Sequence, residues 1–265
     1  MKTAFLVVVL LLGANLVVRA ANPYWIRLDR KLIRDVTALV AKKSAQVAYY
    51  FGPRSEAEHN LGFGWKARDL AAYGGYLTIK ATCYYYHDSL LSYTITPWLP
   101  KEPALKRLYI HWLAPGFKVS NASVTPVYYN RAALEQPLTA YYQAYSLPRV
   151  PRRLADYMSP ASGVEYGYAG GYASVLLPNR SAFLAFQRDL STAQVRLLLY
   201  AVNPASRLTG IEYYLKHKPR FTRAEQLLLE QWIETVFTEL PQVESVQGCL
   251  GGLFDARELV AAFAH

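Results

Sequence analysis

Apolar residues between Ser191 and Leu240 recur at positions i, i+3, i+4 and i+7, a period that predicts three consecutive helices. Each predicted helix has its own start signal. The three signals are Ser191 with Gln194, Asn203 with Pro204, and Thr222 with Glu225. Serine or threonine followed three residues later by Gln or Glu is a capping box, and proline is favoured at the first helical position. We therefore expect a helical array joined by very short connections.

The corner at Asn203-Pro204 allows two interpretations. In the first, Asn203 caps the helix that begins at Pro204, and the site is structural. In the second, Asn203, Ser206 and Arg207 form a polar edge that recognises a partner. We favour the structural corner, because cap chemistry and proline placement account for the residues without a ligand.

The clearest strand pattern runs from Tyr76 to Trp98, where apolar and polar residues alternate. The apolar faces of its two halves match when Cys83 lies opposite Tyr93, because a slip by one residue would turn every side chain to the other face. This register predicts a three-residue loop of residues 87–89. Two further strands are predicted over Leu105 to Leu113 and Ser123 to Tyr129.

These patterns predict an α+β fold, with an antiparallel β-sheet in the N-terminal half packed with an α-helical C-terminal half. The N-terminal region, residues 21–147, is expected to combine the sheet with an amphipathic helix over Leu28 to Val40. Pro148 and Pro151 suggest a boundary, after which residues 148–265 are mainly helical. We expect the two regions to pack as one domain.

Residues 1–20 have the pattern of a secretory signal peptide: Lys2, an apolar run from Ala4 to Leu12, and a small residue at Ala20 before the expected cleavage site. The alternative is an uncleaved membrane anchor, but Gly13 and Asn15 interrupt a segment already shorter than the ~20 apolar residues of a span. The prediction is a secreted or periplasmic protein with no transmembrane span in its mature chain.

The net charge of the chain indicates which classes of partner to expect. The formal net charge is +10, and removing Lys2 and Arg19 with the signal leaves 10 − 2 = +8. A basic protein attracts anionic surfaces, and an exported one more often meets anionic lipid, polysaccharide or cell wall than nucleic acid. The expected partners are a cell-wall polymer, a polysaccharide or another envelope protein, and nucleic acid is not an expected partner.

Two cysteines, Cys83 and Cys249, would lie in an oxidising compartment if the chain is exported. We predict that they form a disulfide that ties the sheet to the C-terminal segment. The alternative is two thiols that act as small apolar residues. The sequence has no metal-ligand spacing and no nucleotide-binding motif, so no metal and no cofactor is expected.

Tyrosine is the unusual component, with 22 residues. Neighbouring tyrosines on a strand point to opposite faces, so part of each cluster is expected at the surface, where a flat ring with a polar tip suits a sugar or a peptide. The alternative is that tyrosine simply fills half-buried sheet surface. The candidate binding residues are Tyr84, Tyr86, Tyr166, Tyr168 and Tyr172.

No catalytic signature is present in the sequence. Glu165, between two glycines in a tyrosine-rich loop, and Asp88, at the predicted hairpin tip, are the candidate catalytic carboxylates. The expected function is a non-catalytic, envelope-associated binding or structural protein. The alternative is a hydrolase of an envelope polysaccharide or peptide that uses Glu165, Asp88 or both.

Overall fold

The computed structural model describes residues 21–42, 46–52, 57–120, 123–125, 127–129, 150–171 and 173–264, together with 139 and 143. The predicted signal peptide and the predicted boundary at 147/148 lie outside these residues, and both stay predictions. Within the described part of the chain, no helix combines the length and the apolar run needed to cross a bilayer.

The chain divides into two compact units. The first unit takes in residues 1–58 and 67–134, and the second takes in residues 59–66 and 135–265. The predicted α+β class is confirmed, because the strands of the main sheet lie in the N-terminal half and most helices lie in the C-terminal half. The tip of the β-hairpin formed by Ala57–Gly62 and Trp65–Tyr73 belongs to the second unit.

The first unit is built on a five-stranded antiparallel sheet, in which the first four strands pair in chain order and a short last strand, Val127–Tyr129, pairs with the fourth. Its helices are α1 (Pro23–Ala41), α2 (Val47–Tyr50) and α3 (Pro103–Leu113). Its strands are β1 (Ala57–Gly62), β2 (Trp65–Tyr73), β3 (Thr78–Tyr86), β4 (Ser89–Trp98), β5 (Val119–Ser120), β6 (Ser123–Val124) and β7 (Val127–Tyr129). Helix α2 and the inward faces of α1, α3 and the sheet share one hydrophobic core.

The predicted register of the central hairpin is confirmed, because Cys83 pairs with Tyr93. The predicted loop is wrong. His87 and Asp88 form a two-residue turn with φ values of 44° and 63°, the positive φ that such hairpin turns require at both positions. The register nevertheless holds at Cys83 because a β-bulge lies beyond Tyr84, which leaves Leu91 as an extra residue.

Residues 105–113 form helix α3 and not the predicted strand. The helix begins at Pro103, and the carboxylate of Glu102 caps it by accepting hydrogen bonds from the backbone N–H groups of residues 104 and 105. Leu105, Tyr109 and Leu113 are buried and are four residues apart, so they lie on one helix face.

The second unit is mainly helical and has its own hydrophobic core. Its helices are α4 (Arg152–Met158), α5 (Pro178–Leu184), α6 (Thr192–Leu198), α7 (Pro204–Lys216), α8 (Arg223–Glu239) and α9 (Ala256–Ala264). Its strands form two short hairpins, β8 (Ala169–Gly170) with β9 (Val175–Leu176) and β10 (Gln242–Gln247) with β11 (Leu250–Asp255). Both predicted capping boxes are present, at the starts of α6 and α8.

Asn203 caps α7, as the structural interpretation of this corner predicts. Its side-chain oxygen accepts from the N–H groups of Ala205 and Ser206, at 2.9 and 3.4 Å. Asn203, Ser206 and Arg207 are all buried, so they do not form an exposed recognition edge.

The predicted disulfide is wrong, because Cys83 and Cys249 are both free thiols. Cys83 is fully buried on the inward face of β3, in the core of the first unit. Cys249 is exposed in the turn between β10 and β11 of the second unit. Burial raises the pKa of the Cys83 thiol to about 12, so it carries no thiolate near neutral pH.

Candidate functional site

The candidate binding tyrosines are divided between the two units. Tyr84 and Tyr86 lie on β3 of the first unit, where Tyr84 is buried and Tyr86 is half-buried. In the second unit Tyr166 is buried and Tyr168 is exposed. Tyr172 lies outside the described residues. Burial removes Tyr84 and Tyr166 from any surface that a ligand could contact directly.

Tyr166 belongs instead to a buried ionic cluster. Its hydroxyl donates to a carboxylate oxygen of Glu212 at 3.1 Å, and the Arg180 guanidinium donates to both oxygens of the same carboxylate at 3.2 and 2.5 Å. Burial raises the pKa of Tyr166, and the Glu212 charge raises it further. Arg180 also donates to the carbonyl of Gly167 at 2.9 Å, so the cluster holds the glycine- and tyrosine-rich loop in place. Its polar groups are paired with one another, as a structural role requires.

The two candidate catalytic carboxylates are in different units. Asp88 is exposed at the tip of the β3–β4 hairpin in the first unit, and Glu165 is half-buried in the loop before β8 in the second. Neither unit by itself therefore brings the two carboxylates together.

The first unit contains a groove of about 840 Å³ between α1 and α3. Its walls are basic on the α1 side and aromatic on the α3 side. The lining residues are Arg27, Arg30, Lys31, Ile33, Arg34, Thr37, Ala38, Ala41, His111, Trp112 and Pro115. Arg27, Arg30 and Arg34 are spaced at i, i+3 and i+7, which places their guanidinium groups along one stripe of the helix.

Trp112 gives the groove a flat apolar wall. Its ring is half-buried and stacks on the buried Tyr109, with centroids 5.4 Å apart and planes inclined by 25°. The Arg30 guanidinium carbon lies 5.6 Å from the centroid of the Trp112 ring, within the range of a cation–π contact. The groove thus presents an indole beside a row of cations.

The groove is positively charged because few acidic groups neutralise its cations. Among the described residues that line it there is no carboxylate, and none of the described carboxylates pairs with Arg27 or Arg30. Asp35 is shared between Arg34 at 3.2 Å and Lys31 at 3.7 Å. Such exposed pairs are weak, so these side chains remain available to an anion.

Asp29, on the buried face of α1, fixes the position of both walls. Its carboxylate accepts hydrogen bonds from the backbone N–H groups of Gly75, Tyr76 and Leu77 at 2.7, 2.9 and 3.3 Å, and from the Tyr109 hydroxyl of α3 at 2.5 Å. Burial raises the pKa of Tyr109, and so does the Asp29 carboxylate. The same aspartate therefore joins α1 to α3 and to the turn between β2 and β3.

Just beyond α3, at one end of the groove, the backbone at Gly116 lies close to Thr37 of α1. A Cβ atom at this position would lie 2.6 Å from Cγ2 of Thr37, so a larger residue would push the two helices apart. Glycine at this position lets the chain after α3 pass directly over α1.

Sequence reasoning missed this groove, although part of its signal is visible in the chain. The spacing of Arg27, Arg30 and Arg34 is visible in the sequence, but the second wall is not, because the apolar pattern of residues 105–113 predicts a strand where the structure has α3.

The described residues hold no cluster of three or more His, Cys, Asp or Glu side chains that could bind a metal ion. No family model, curated protein or solved structure matches this chain.

Proposed function

We propose that this protein is an exported, non-catalytic, envelope-associated binding protein whose first unit holds an anionic envelope component in the groove between α1 and α3. The observation that carries the proposal is the stripe of Arg27, Arg30 and Arg34 facing Trp112 across an open groove. The net charge of 10 − 2 = +8 that remains after removal of the predicted signal supports it, because the whole molecule attracts anions.

The chemistry of the groove suits phosphate, sulfate or carboxylate groups arranged along a chain or a surface. A guanidinium group donates two parallel hydrogen bonds to such anions, which lysine cannot do. From Arg27 to Arg34 the helix rises by roughly 10 Å, at about 1.5 Å per residue, so the stripe can contact more than one anionic group. The Trp112 indole adds an apolar surface for a sugar ring or a hydrocarbon segment.

The hydrolase hypothesis has no comparable support. Glu165 lies in the loop before β8, where the backbone N–H of the next residue, Tyr166, donates to the carbonyl of Glu244 at 2.8 Å. The Glu244 carboxylate is paired with His59. Hydrolysis by a pair of carboxylates needs two groups within about 10 Å of each other. This hypothesis stays a prediction from the sequence.

The groove can be tested with fluorescein-labelled dextran sulfate, using fluorescence anisotropy and labelled neutral dextran as the ligand control. The test variant is Arg30→Gln/Arg34→Gln. If each lost guanidinium contact contributes about 1 kcal/mol, the double variant should bind roughly thirtyfold more weakly. Binding should also weaken as salt rises, because the contacts are exposed.

The matched control is Lys101→Gln/Arg107→Gln, which removes the same charge from exposed sites of the first unit outside the groove. This control should lose at most about threefold in affinity, through the general field alone. Equal losses in the two double variants would show that the whole molecule attracts the polymer and would rule out the groove as its site.

A further inference from the structure

The outward face of α1 carries large apolar residues among its cations. Tyr24, Arg27, Leu28 and Lys31 are spaced at i, i+3, i+4 and i+7, so they share one face of the helix. Tyr24 is 55% exposed and Leu28 is 38% exposed. Arg27 lies on the border between this face and the groove.

The opposite face of α1 already supplies the hydrophobic anchor of the helix. Its buried residues Leu32, Ile33, Val36 and Val40 pack in the core of the first unit. Tyr24 and Leu28 are therefore not needed to hold the helix in place. Their exposure places apolar surface directly beside the cations of α1, a combination that suits an amphipathic partner.

Trp25 is a third partly exposed apolar residue near the start of α1. It is 43% exposed, its ring contacts Tyr76 edge-to-face at 5.2 Å, and a Cβ atom at Gly75 would collide with it. A partly exposed indole is typical of residues that lie at the level of lipid headgroups.

We infer that the anionic component bound by the first unit is the headgroup layer of an anionic lipid bilayer, on which α1 lies flat. This inference rests on the proposed function and names its partner. The arginine stripe pairs with lipid phosphates, and Tyr24, Leu28 and the exposed part of Trp25 enter the boundary between headgroups and acyl chains. Arg27 and Lys31 bury their hydrocarbon stems and keep their charges at the phosphates.

A bilayer explains more of this surface than a dissolved polyanion does. A soluble polymer would use the arginine stripe but would leave Tyr24 and Leu28 in water. The non-buried part of the helix carries one acidic residue, Asp35, and four cations: Arg27, Arg30, Lys31 and Arg34. Each cation near an anionic membrane adds to the attraction between the helix and the membrane.

The test is co-sedimentation of the exported chain, without the predicted signal of residues 1–20, with vesicles of 70% phosphatidylcholine and 30% phosphatidylglycerol, compared with vesicles of phosphatidylcholine alone. The wild type should bind the anionic vesicles and not the neutral ones. Tyr24→Ser/Leu28→Ser should weaken vesicle binding by about tenfold, because two partly exposed apolar side chains no longer enter the interface. Its binding to dextran sulfate should change by less than about twofold, because the arginine stripe is intact.

Leu227→Ser/Leu228→Ser is the matched control, since these residues on α8 are also exposed, at 53% and 60%. This control should bind vesicles like the wild type. A measurement on the wild type is independent of any variant: lipids brominated near the headgroup should quench tryptophan emission, and Trp25→Phe should reduce that quenching.

Each outcome separates the inference from the proposed function. Binding to dextran sulfate without binding to anionic vesicles would overturn the bilayer inference and leave the groove as a polyanion site. Failure to bind either ligand would overturn both. Vesicle binding that survives Tyr24→Ser/Leu28→Ser, with no quenching of Trp25, would show that charge alone attracts the protein and that α1 does not dock on the bilayer.

Discussion

Asp29→Asn should destabilise the first unit far more than the same substitution elsewhere on α1. The Asp29 side chain is fully buried and accepts four hydrogen bonds, three from the turn between β2 and β3 and one from Tyr109 of α3. Asparagine has nearly the same shape but replaces one acceptor oxygen by an N–H₂ donor. In the geometry that keeps the bonds to Gly75 and Leu77, the new donor faces the N–H of Tyr76.

The magnitude follows from the number of donors that lose their partner. One buried donor without an acceptor costs about 1–3 kcal/mol, so Asp29→Asn should lower the free energy of unfolding by about 2 kcal/mol. Asp29→Ala removes the acceptor of all four donors and should cost about 4 kcal/mol at the lower end of that range. With a urea m-value of about 1.5 kcal/mol per molar, 2 kcal/mol lowers the midpoint by roughly 1.3 M.

Urea unfolding followed by circular dichroism and by tryptophan fluorescence measures these changes. The matched control is Asp35→Asn, on the same helix but half-buried. Among the described residues Asp35 pairs with Lys31, Arg34 and Tyr50, and its substitution should cost less than about 1 kcal/mol. If the two units unfold in separate transitions, Asp29→Asn should shift the urea midpoint of the first unit's transition and leave that of the second unit unchanged. Equal costs for Asp29→Asn and Asp35→Asn would refute the role of Asp29 as the anchor of both groove walls.

Two further predictions concern Asn203 and the cysteines. Besides capping α7, the Asn203 amide donates to Ser159, Ser162 and Gly163 at 3.0, 2.8 and 2.8 Å. Asn203→Ala should therefore cost about 3 kcal/mol in the same urea assay, against about 1 kcal/mol for the exposed cap variant Ser191→Ala; similar costs would contradict the buried network. In protein kept free of reductant, a thiol reagent should label one cysteine in the native state, Cys249, and two after denaturation, and no labelling after denaturation would restore the disulfide.

Local signals predicted the helical starts of the second unit well. These starts are the capping boxes at Ser191 and Thr222 and the corner at Asn203-Pro204. Their interacting residues lie within three positions of one another, so a short stretch of sequence is enough to predict them. What could not be predicted is the second role of Asn203. The hydrogen bonds of its side-chain amide join residues that are 40 to 44 positions away in sequence, and no local sequence pattern predicts them.

The prediction of a strand over residues 105–113 is wrong for a physical reason. An apolar run of this length fits both a buried strand and a helix, and periodicity alone does not decide between them. The deciding signal was Glu102-Pro103, where a capping carboxylate precedes a proline at the first helical position. Without α3 there is no second wall and hence no groove, so a single misassigned element concealed the candidate site.

The buried carboxylate of Asp29 shows another limit of sequence reasoning. Asp29 is surrounded in sequence by charged residues and looks like part of a solvated face, but helical period places it beside Leu32 and Ile33 on the buried side. Its partners come from Gly75 and its neighbours, about 46 residues later, and from Tyr109, 80 residues later. Only the folded first unit shows that this charge has enough donors to be buried.

Among the described residues, the cations of α1 contribute little to the fold, because their partners are the weak pairs with Asp35 and the contact of Arg30 with the Trp112 ring. Arg27 with Arg30, Arg27 with Lys31, Arg30 with Arg34, and Lys31 with Arg34 are like-charge pairs at i, i+3 or i, i+4. Each such pair destabilises a helix by about 0.2–0.5 kcal/mol, so the four together cost roughly 1–2 kcal/mol, and Asp35 offsets only part of this. Neutral helix formers at these positions would make the first unit more stable. An anionic partner converts the same repulsion into binding energy, which is the physical reason for assigning this face to recognition.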